Sequence, residues 1–437
     1  MRPEHGQAMV DPLRFDAGLA PNGPRWVIGV EVSPDCDRLA AALVAAVGRG
    51  IDLRVEVADV SVAPVAPETT ALFSQLTRPG LVSTDSDFAG RITSLSAQLA
   101  EAEALVVGNL IARSETGPSQ LLAVGVHDPG LWSYGKALSG GYLGLCDAAR
   151  LAELTQANVI DAFPARDVAR GGQGGPITAL AEWILLKDPK RNRVLLDLGR
   201  TVRMSYLPCD SIHHAAARIL SFEVGPGMRM LDQLTQRLTG GEHPYDPGGR
   251  MAVQGRRIDE LQEHWLADPY FRRPLPRWQP RGVRPERFLL DAVQMAVDSG
   301  WSVRDMLCTA THFLAETIAL AVRRCLPRDA VIGEILLTGG GQHNGMLLQE
   351  IAVRLPNVPI VRMSSFGATG EALGPACVAL LALFHLDEVP ANHSAVTGTE
   401  APRVLGRLTP GSPQSWKRLL AELAGTAPSV RPLRAAS

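Results

Sequence analysis

Between Ile332 and Leu355 the hydrophobic positions change period within a few residues. An apolar run, Ile335 to Leu337, enters three consecutive glycines, and Met346, Leu347, Ile351 and Leu355 leave them at helical spacing. The pattern predicts strand, glycine turn, helix. Three glycines cost ordering entropy, and a chain keeps them where backbone takes positive φ or lies against something with no room for a Cβ. A nucleotide is one such thing, and a tight turn that binds nothing is the other reading.

Similar patterning recurs along the chain. Residues 1–23 are polar and aperiodic and read as a mobile tail, and Trp26 to Val32 is the first strand. The turn after it, Ser33 to Arg38, leads into an alanine-rich stretch read as a helix capped by Asp37. Leu53 to Ala63 alternates as a strand does, Phe88 to Ala112 has the spacing of a long amphipathic helix, and Leu121 to Val126 is a short buried strand ending in His127. Asp147 caps a helix through Ala157, and Val159 starts another strand. Val194 to Thr201 and Val202 to Leu207 form a hairpin. Leu220 to Gly227 is a strand followed by a helix to Leu238. Helices are expected at Glu260 to Trp265, Ser302 to Arg324 and Gly370 to Leu386, a strand at Pro359 to Met363, and a Pro/Arg tail after Leu423.

Composition narrows the function classes. A chain of 437 residues with 46% hydrophobic content is more than one typical domain, so two are expected. Lys plus Arg at 43 against Asp plus Glu at 45 leaves a net charge of −2, which points away from nucleic acid and from an anionic membrane surface. Six cysteines without C-x-x-C spacing indicate neither a zinc site nor a disulfide framework. The N-terminus lacks a charged start followed by an apolar run, and no unbroken apolar stretch is long enough to span a bilayer, so a cytoplasmic location is expected.

Several stretches carry candidate chemistry. Asp197, Gly199 and Thr201 leave their strand as D-x-G-x-T: the carboxylate can hold a metal-bound water, the glycine lets phosphate reach backbone amides, and the threonine hydroxyl donates. Glu223 stands on a strand leading to Gly-Pro-Gly, where a carboxylate is either a general base for phosphoryl transfer or an acid favoured by a helix dipole. Arg166 and Asp167 precede four glycines around Gln173, a loop that either binds ligand or connects two halves of the molecule. His127, leaving a strand end, is either placed to reach a cleft or a hydrogen-bonded structural residue. The Ser33 to Arg38 turn is a poor phosphate cradle, since Pro34 lacks an amide donor and Asp35 and Asp37 add negative charge.

In order and spacing, RDVARGGQGGP, FEVGPG, HPYDPGGRMAVQGRR with WLADPYF downstream, LLTGGGQHNGML and VTGTEAPRVLG resemble the anhydro-N-acetylmuramic acid kinases. The D-x-G-x-T hairpin is similar to the phosphate hairpin of the actin, sugar kinase and heat-shock ATPase superfamily. The resemblance implies an actin-like α/β fold with two lobes and a central cleft. One lobe would be 25–162 plus 368–410, the other 163–367, with tails at 1–24 and 424–437. It implies ATP and Mg²⁺ as cofactors and, as partner, a small-molecule amino sugar from the cell wall, whose 1,6-anhydro ring is opened by water and phosphorylated at the 6-hydroxyl. A homodimer is left open. By this likeness Glu223 is the base, Asp197 organises magnesium, Asp37, Gly199 and Thr201 face the phosphates, and Gly339, Gly340, Gly341 and Asn344 hold the adenosine. His127, Arg166, Asp167 and Gln173 are expected at the sugar.

Departures from the family pattern are specific. Of its first phosphate loop, at Glu31 to Arg38, only Asp37 remains; Glu223 stands for the catalytic Asp, Met228 for an Asn, and Asp128 and Pro129 follow His127 in place of Gly and Gln. The Asn-rich hairpin has become Asp197 to Arg203. A kinase of impaired turnover that binds sugar, nucleotide or a partner, and a kinase for another sugar, therefore stand beside the anhydro-sugar kinase.

Overall fold

The structure, a computed structural model, describes residues 24–77, 87–114, 120–135, 138–211, 214–279, 284–363 and 370–425. The expected tails, 1–24 and 424–437, lie almost wholly outside the described residues. The strands are β1 (Arg25–Val32), β2 (Arg38–Val47), β3 (Arg54–Pro64), β4 (Leu121–His127), β5 (Leu131–Gly135), β6 (Leu138–Leu143), β7 (Val159–Asp161), β8 (Asn192–Leu198), β9 (Thr201–Leu207), β10 (Leu220–Pro226), β11 (Ile332–Thr338), β12 (Ile360–Arg362) and β13 (Arg407–Thr409).

The described chain divides into two compact units. An N-terminal unit holds the described residues of 24–166, 371–391 and 403–425; a central unit holds those of 167–370 and 392–402. The segment 392–402 counts with the central unit.

Each unit is built on a mixed sheet of the same plan. The N-terminal sheet runs β13-β7-β4-β1-β2-β3 and the central one β10-β9-β8-β11-β12. In both, three consecutive strands form an antiparallel meander, and the first of them also pairs in parallel with a later strand, which pairs in parallel with a further one. This repeated order, with helices on the sheets, is the α/β arrangement of the actin-like class.

Packing in the N-terminal unit depends on two glycines. Gly29 of β1 and Gly125 of β4 are register partners. A Cβ on Gly29 would fall 2.0 Å from the Pro375 carbonyl oxygen, and one on Gly125 2.9 Å from that of Val378. Their absence lets the apolar helix Leu373–Leu386 lie directly on the strands. The helix Phe88–Arg113 packs Leu95, Leu99, Val106 and Leu110 into a core shared with Ile28, Val30, Leu39 and Leu43.

Alanine-rich Arg38–Val47, expected as a helix, is the strand β2, flanked on both sides. It pairs along its whole length with β1 and β3, and Leu39 to Ala46 are all buried. Two ladders and complete burial outweigh a helix preference of a few tenths of a kcal/mol per alanine. Asp37 accordingly ends a hairpin loop and caps no helix.

In the central unit the helix Val303–Cys325 opens with a capping box between Ser302 and Asp305 and buries thirteen residues, Phe313 among them, against Trp265, Phe271 and Phe288. Phe88–Arg113 and Val303–Cys325 are long and apolar enough to cross a membrane by length and composition. Both lay their apolar sides into the cores just described.

Glu103, on the Phe88–Arg113 helix, is fully buried. Its Oε2 accepts from Cys146 Sγ at 3.8 Å, and its Oε1 has no hydrogen-bond partner among the described residues. Burial, reinforced by the Asp128 charge, pushes the carboxyl up to about 8, against the thiol hydrogen bond. Between the ordinary carboxyl range and that value the folded chain keeps a proton the unfolded chain has released, so stability falls as pH rises. We expect the unfolding free energy to decline between pH 5 and 8 with a slope approaching ~1.4 kcal/mol per pH unit. Glu103→Gln should flatten the slope in urea titrations across that range; an unchanged slope removes Glu103 as its source.

Candidate active site

The site residues of the central unit stand in a row across its sheet. Register pairs Thr338 with Asp197, Asp197 with Arg203, and Arg203 with Glu223, on β11, β8, β9 and β10. Directly opposed residues share a face, so these four polar side chains emerge on one side.

Arg203 is the middle of the row. Its Nη1 donates to Glu182 Oε1, buried on the helix Ala179–Leu186, and to Thr178 Oγ1 at 3.1 Å, while Nη2 lies 3.8 Å from Asp197 Oδ2. Glu182 also accepts from Ser205 and Thr178 at 2.6 and 2.7 Å. Burial works to raise the Glu182 carboxyl, but Arg203 and these hydroxyls outweigh it and hold it low. Asp197 shifts the other way: burial raises it, Arg203 opposes and Glu182 reinforces.

Glu223 does not stand at the strand end. It lies within β10 at a register shift, only 3% exposed. Tyr270 Oη donates to its Oε1 at 2.8 Å, and Arg277 brackets its backbone, accepting from Glu223 N at 2.8 Å and donating Nε to Glu223 O at 2.7 Å. Arg277 itself is buried, 5.0 Å above the Tyr270 ring. Sequence reading missed Tyr270, Arg277 and Glu182; the arginine-rich segment from Arg272 was the available signal.

The glycine turn docks on the β8–β9 hairpin. A Cβ on Gly339, which takes φ 79°, would fall 2.6 Å from Asp197 Oδ1 and 2.8 Å from Gly199 N; one on Gly341 would meet Leu198 Cβ at 2.6 Å and Met228 Sδ at 2.8 Å. Gly340 has nothing within 4 Å. Two glycines therefore seat the turn and the third leaves open space. Gly199 O accepts from Met228 N at 2.9 Å, which seats the helix Met228–Leu238 on the same hairpin, and Thr201 opens β9 beside it. Asn344, expected at the adenosine, is 4% exposed and spends its Oδ1 on Leu347 N, capping the helix Gly345–Arg354.

Asp167 and Gln173 form a separate cluster. Asp167, expected at the sugar, is fully buried and accepts from Gly174 N, Asn392 Nδ2 and Thr397 Oγ1 at 2.6–2.7 Å. A carboxylate so consumed shapes the loop. A Cβ on Gly172 would fall 2.1 Å from it. Gln173 Nε2 reaches Pro276 O at 3.1 Å, next to the Arg277 that holds Glu223.

In the N-terminal unit the loop after β1 is closed upon itself. Ser33 Oγ donates to Asp37 Oδ1 at 2.5 Å and accepts from Asp37 N and Arg38 N at 3.0 Å, while Ser33 N and Cys36 N bond Arg38 O and Ser33 O. His127 ends β4 with Nδ1 buried and lacking a hydrogen-bond partner among the described residues; burial lowers it to about 4, leaving the ring neutral at pH 7. Asp128 is buried and accepts from Gly130 N and Leu145 N. Arg166 donates to Val404 O at 3.3 Å.

The family model for anhydro-N-acetylmuramic acid kinase matches residues 44–411. Curated relatives with that name include proteins of Synechococcus elongatus, 32% identical over 80% of this chain and 92% of that protein, and of Acaryochloris marina, 30% identical over 87% and 99%. Among solved structures, a ROK family glucokinase from Streptomyces griseus in complex with glucose and AMPPNP aligns over 82% of this chain and 98% of its own, at 12% identity and a TM-score of 0.36.

The three glycines can be separated experimentally. Gly339→Ala should lower stability by ~2 kcal/mol or more, from contact with Asp197 and a left-handed backbone. Gly340→Val, entering open space, should leave the melting temperature unchanged yet abolish ATP binding in calorimetry. Native ATP affinity in that variant overturns the assignment.

Proposed function

The chain belongs to the anhydro-N-acetylmuramic acid kinase family, and on that premise we propose that it uses ATP to open and phosphorylate 1,6-anhydro-N-acetylmuramic acid in cell-wall recycling in the cytoplasm. The observation that carries the proposal is the meeting, at the β8–β9 hairpin, of the polar row that includes Asp197 and Glu223 with a glycine turn that leaves open space. A nucleotide over Gly340 and a sugar near Glu223 would use both.

Glu223 takes the proton from water as its oxygen attacks the anomeric carbon; the bond from that carbon to O6 breaks, and O6 takes the γ-phosphoryl group as ADP leaves. Tyr270 fixes one carboxylate oxygen. Arg277 and Gln173, joined through the 276–277 segment, hold the backbone beneath it.

For magnesium, the fit is that of a single carboxylate. No three His, Cys, Asp or Glu side chains converge among the described residues. Magnesium held by one or two carboxylates together with substrate phosphates needs no such cage, and Asp197, 31% exposed at its side chain, meets that need. Bound there, the ion would neutralise charge on the phosphates.

One observation favours the reading of impaired turnover: the Ser33 to Arg38 loop spends the amides of Ser33, Cys36, Asp37 and Arg38 internally.

Glu223→Gln keeps shape and loses basicity, and should reduce turnover of the anhydro sugar by ~10²–10⁴-fold with sugar affinity nearly unchanged. Coupled ADP release and sugar titration measure the two. Equal rates in wild type and variant, above background, would exclude Glu223 as the base.

A further inference from the structure

Glu223 stands on a strand with a neighbour on one side only. β10 is the edge of the central sheet, and at the register shift the amide of Glu223 donates outward to Arg277 O at 2.8 Å. Arg277 returns Nε to Glu223 O at 2.7 Å and Nη1 to Tyr270 O at 3.4 Å, and Tyr270 Oη donates to the carboxylate. The place of the 276–278 segment therefore sets both the backbone of Glu223 and the donor on its side chain. That segment has no regular structure of its own. Two others fix it, the glycine-rich loop 171–176 and the stretch 392–402. Gln173 Nε2 donates to Pro276 O at 3.1 Å, and a Cβ on Gly175 would fall 2.6 Å from Trp278 Cε2. Gly398, at φ 76°, lies so close that a Cβ would fall 2.9 Å from Pro276 Cγ. Loop and stretch are bound to each other as well. Gln173 N donates to Thr397 O at 2.8 Å and Glu400 N to Arg170 O at 3.0 Å, while Asp167 accepts from Asn392 Nδ2 and Thr397 Oγ1. Asp167, Asn392 and Thr397 are all buried.

We propose that the stretch 392–402 is a positioning strap for Glu223: Thr397 and Asn392, through Asp167 and Gln173, hold the 276–278 segment against the edge of β10 and so set where the carboxylate stands. The inference rests on the reading of Glu223 as the base and adds the residues that place it, which act through Arg277 and Tyr270. Each link is a hydrogen bond or a contact too close for a Cβ, so a loosened link is passed on as a shift of the next. A catalytic group displaced by about 1 Å can lose ~10²-fold in rate, which makes turnover the sensitive readout of the strap and binding the insensitive one.

The test separates turnover from binding in the full chain. Thr397→Val keeps the shape of the side chain and removes the hydroxyl that donates to Asp167. Its kcat for sugar-dependent ADP release should fall by roughly tenfold or more, while KM for the anhydro sugar and calorimetric ATP affinity stay within about twofold of wild type. Thr397→Ser, which restores the hydroxyl, should recover most of the rate. If Thr397→Val does not fold, Gln173→Met, which removes the donor to Pro276 O, makes the same comparison. Native kcat in either folded variant overturns the strap and leaves the Glu223 reading standing; so does a loss of sugar or ATP affinity as large as the loss of rate, or a Thr397→Ser variant as slow as Thr397→Val. Wild-type protein without sugar-dependent ADP release overturns the kinase reading, and the strap with it.

Discussion

The central unit depends on one backbone contact without side chains. Gly339 lies against the Leu198–Gly199 peptide so closely that any Cβ would overlap it, and its left-handed φ is what turns β11 toward the following helix. Leu198 and Met228 meet at Gly341, and Gly199 O takes the first amide of Met228–Leu238. One hairpin thus seats a glycine turn and a helix start together. Moving it would displace the carboxylate row and the open space at Gly340 at once.

Charge along that row is balanced by neighbours. Arg203 stands between Asp197 and Glu223 in register, and the buried Glu182 fixes its guanidinium from the side. Without that anchor a single arginine between two carboxylates would have competing positions; with it, Asp197 lies within Coulomb range of a fixed cation. Glu223 receives its hydrogen bond from Tyr270, a neutral donor whose own ionisation is suppressed by burial and by the Glu223 charge. The tyrosine therefore remains a donor at neutral pH.

Much of this was legible in the chain because it is local. Strand periodicity, the D-x-G-x-T turn, the glycine triplet and Asp147 as a helix cap depend on residues a few positions apart, and the structure has each of them. What escaped depends on pairing across the sequence. The alanine run of β2 has a helix former's composition and became a strand only because β1 and β3 flank it. Asp167 looked like a loop carboxylate until Asn392 and Thr397, more than two hundred residues away, consumed it. Asn344 was read for its neighbourhood with the glycines, when its position just before Gly345 already made it a helix cap. Tyr270 and Arg277 could not be tied to Glu223 by any periodic signal, since Tyr270 lies in a single 3₁₀ turn, Pro269–Arg272, and Arg277 in a segment without regular structure.

Because the two sheets share one strand order, the loop between β1 and β2 and the turn between β8 and β9 occupy equivalent places, each joining the first two strands of a meander. Their chemistry has diverged. The first is long enough for Ser33 to fold its hydroxyl inward, Cys36 takes a left-handed φ of 57° within it, and the amides of Ser33, Cys36, Asp37 and Arg38 are bonded inside the loop. The second has only Gly199 and Arg200 between its strands, too few residues for a side chain to close on the turn's own amides, and one of the two is a cation. The first hairpin has thus closed on four of its own amides, while the second, with Gly339 and Gly227 packed against its backbone, carries a cation at its tip.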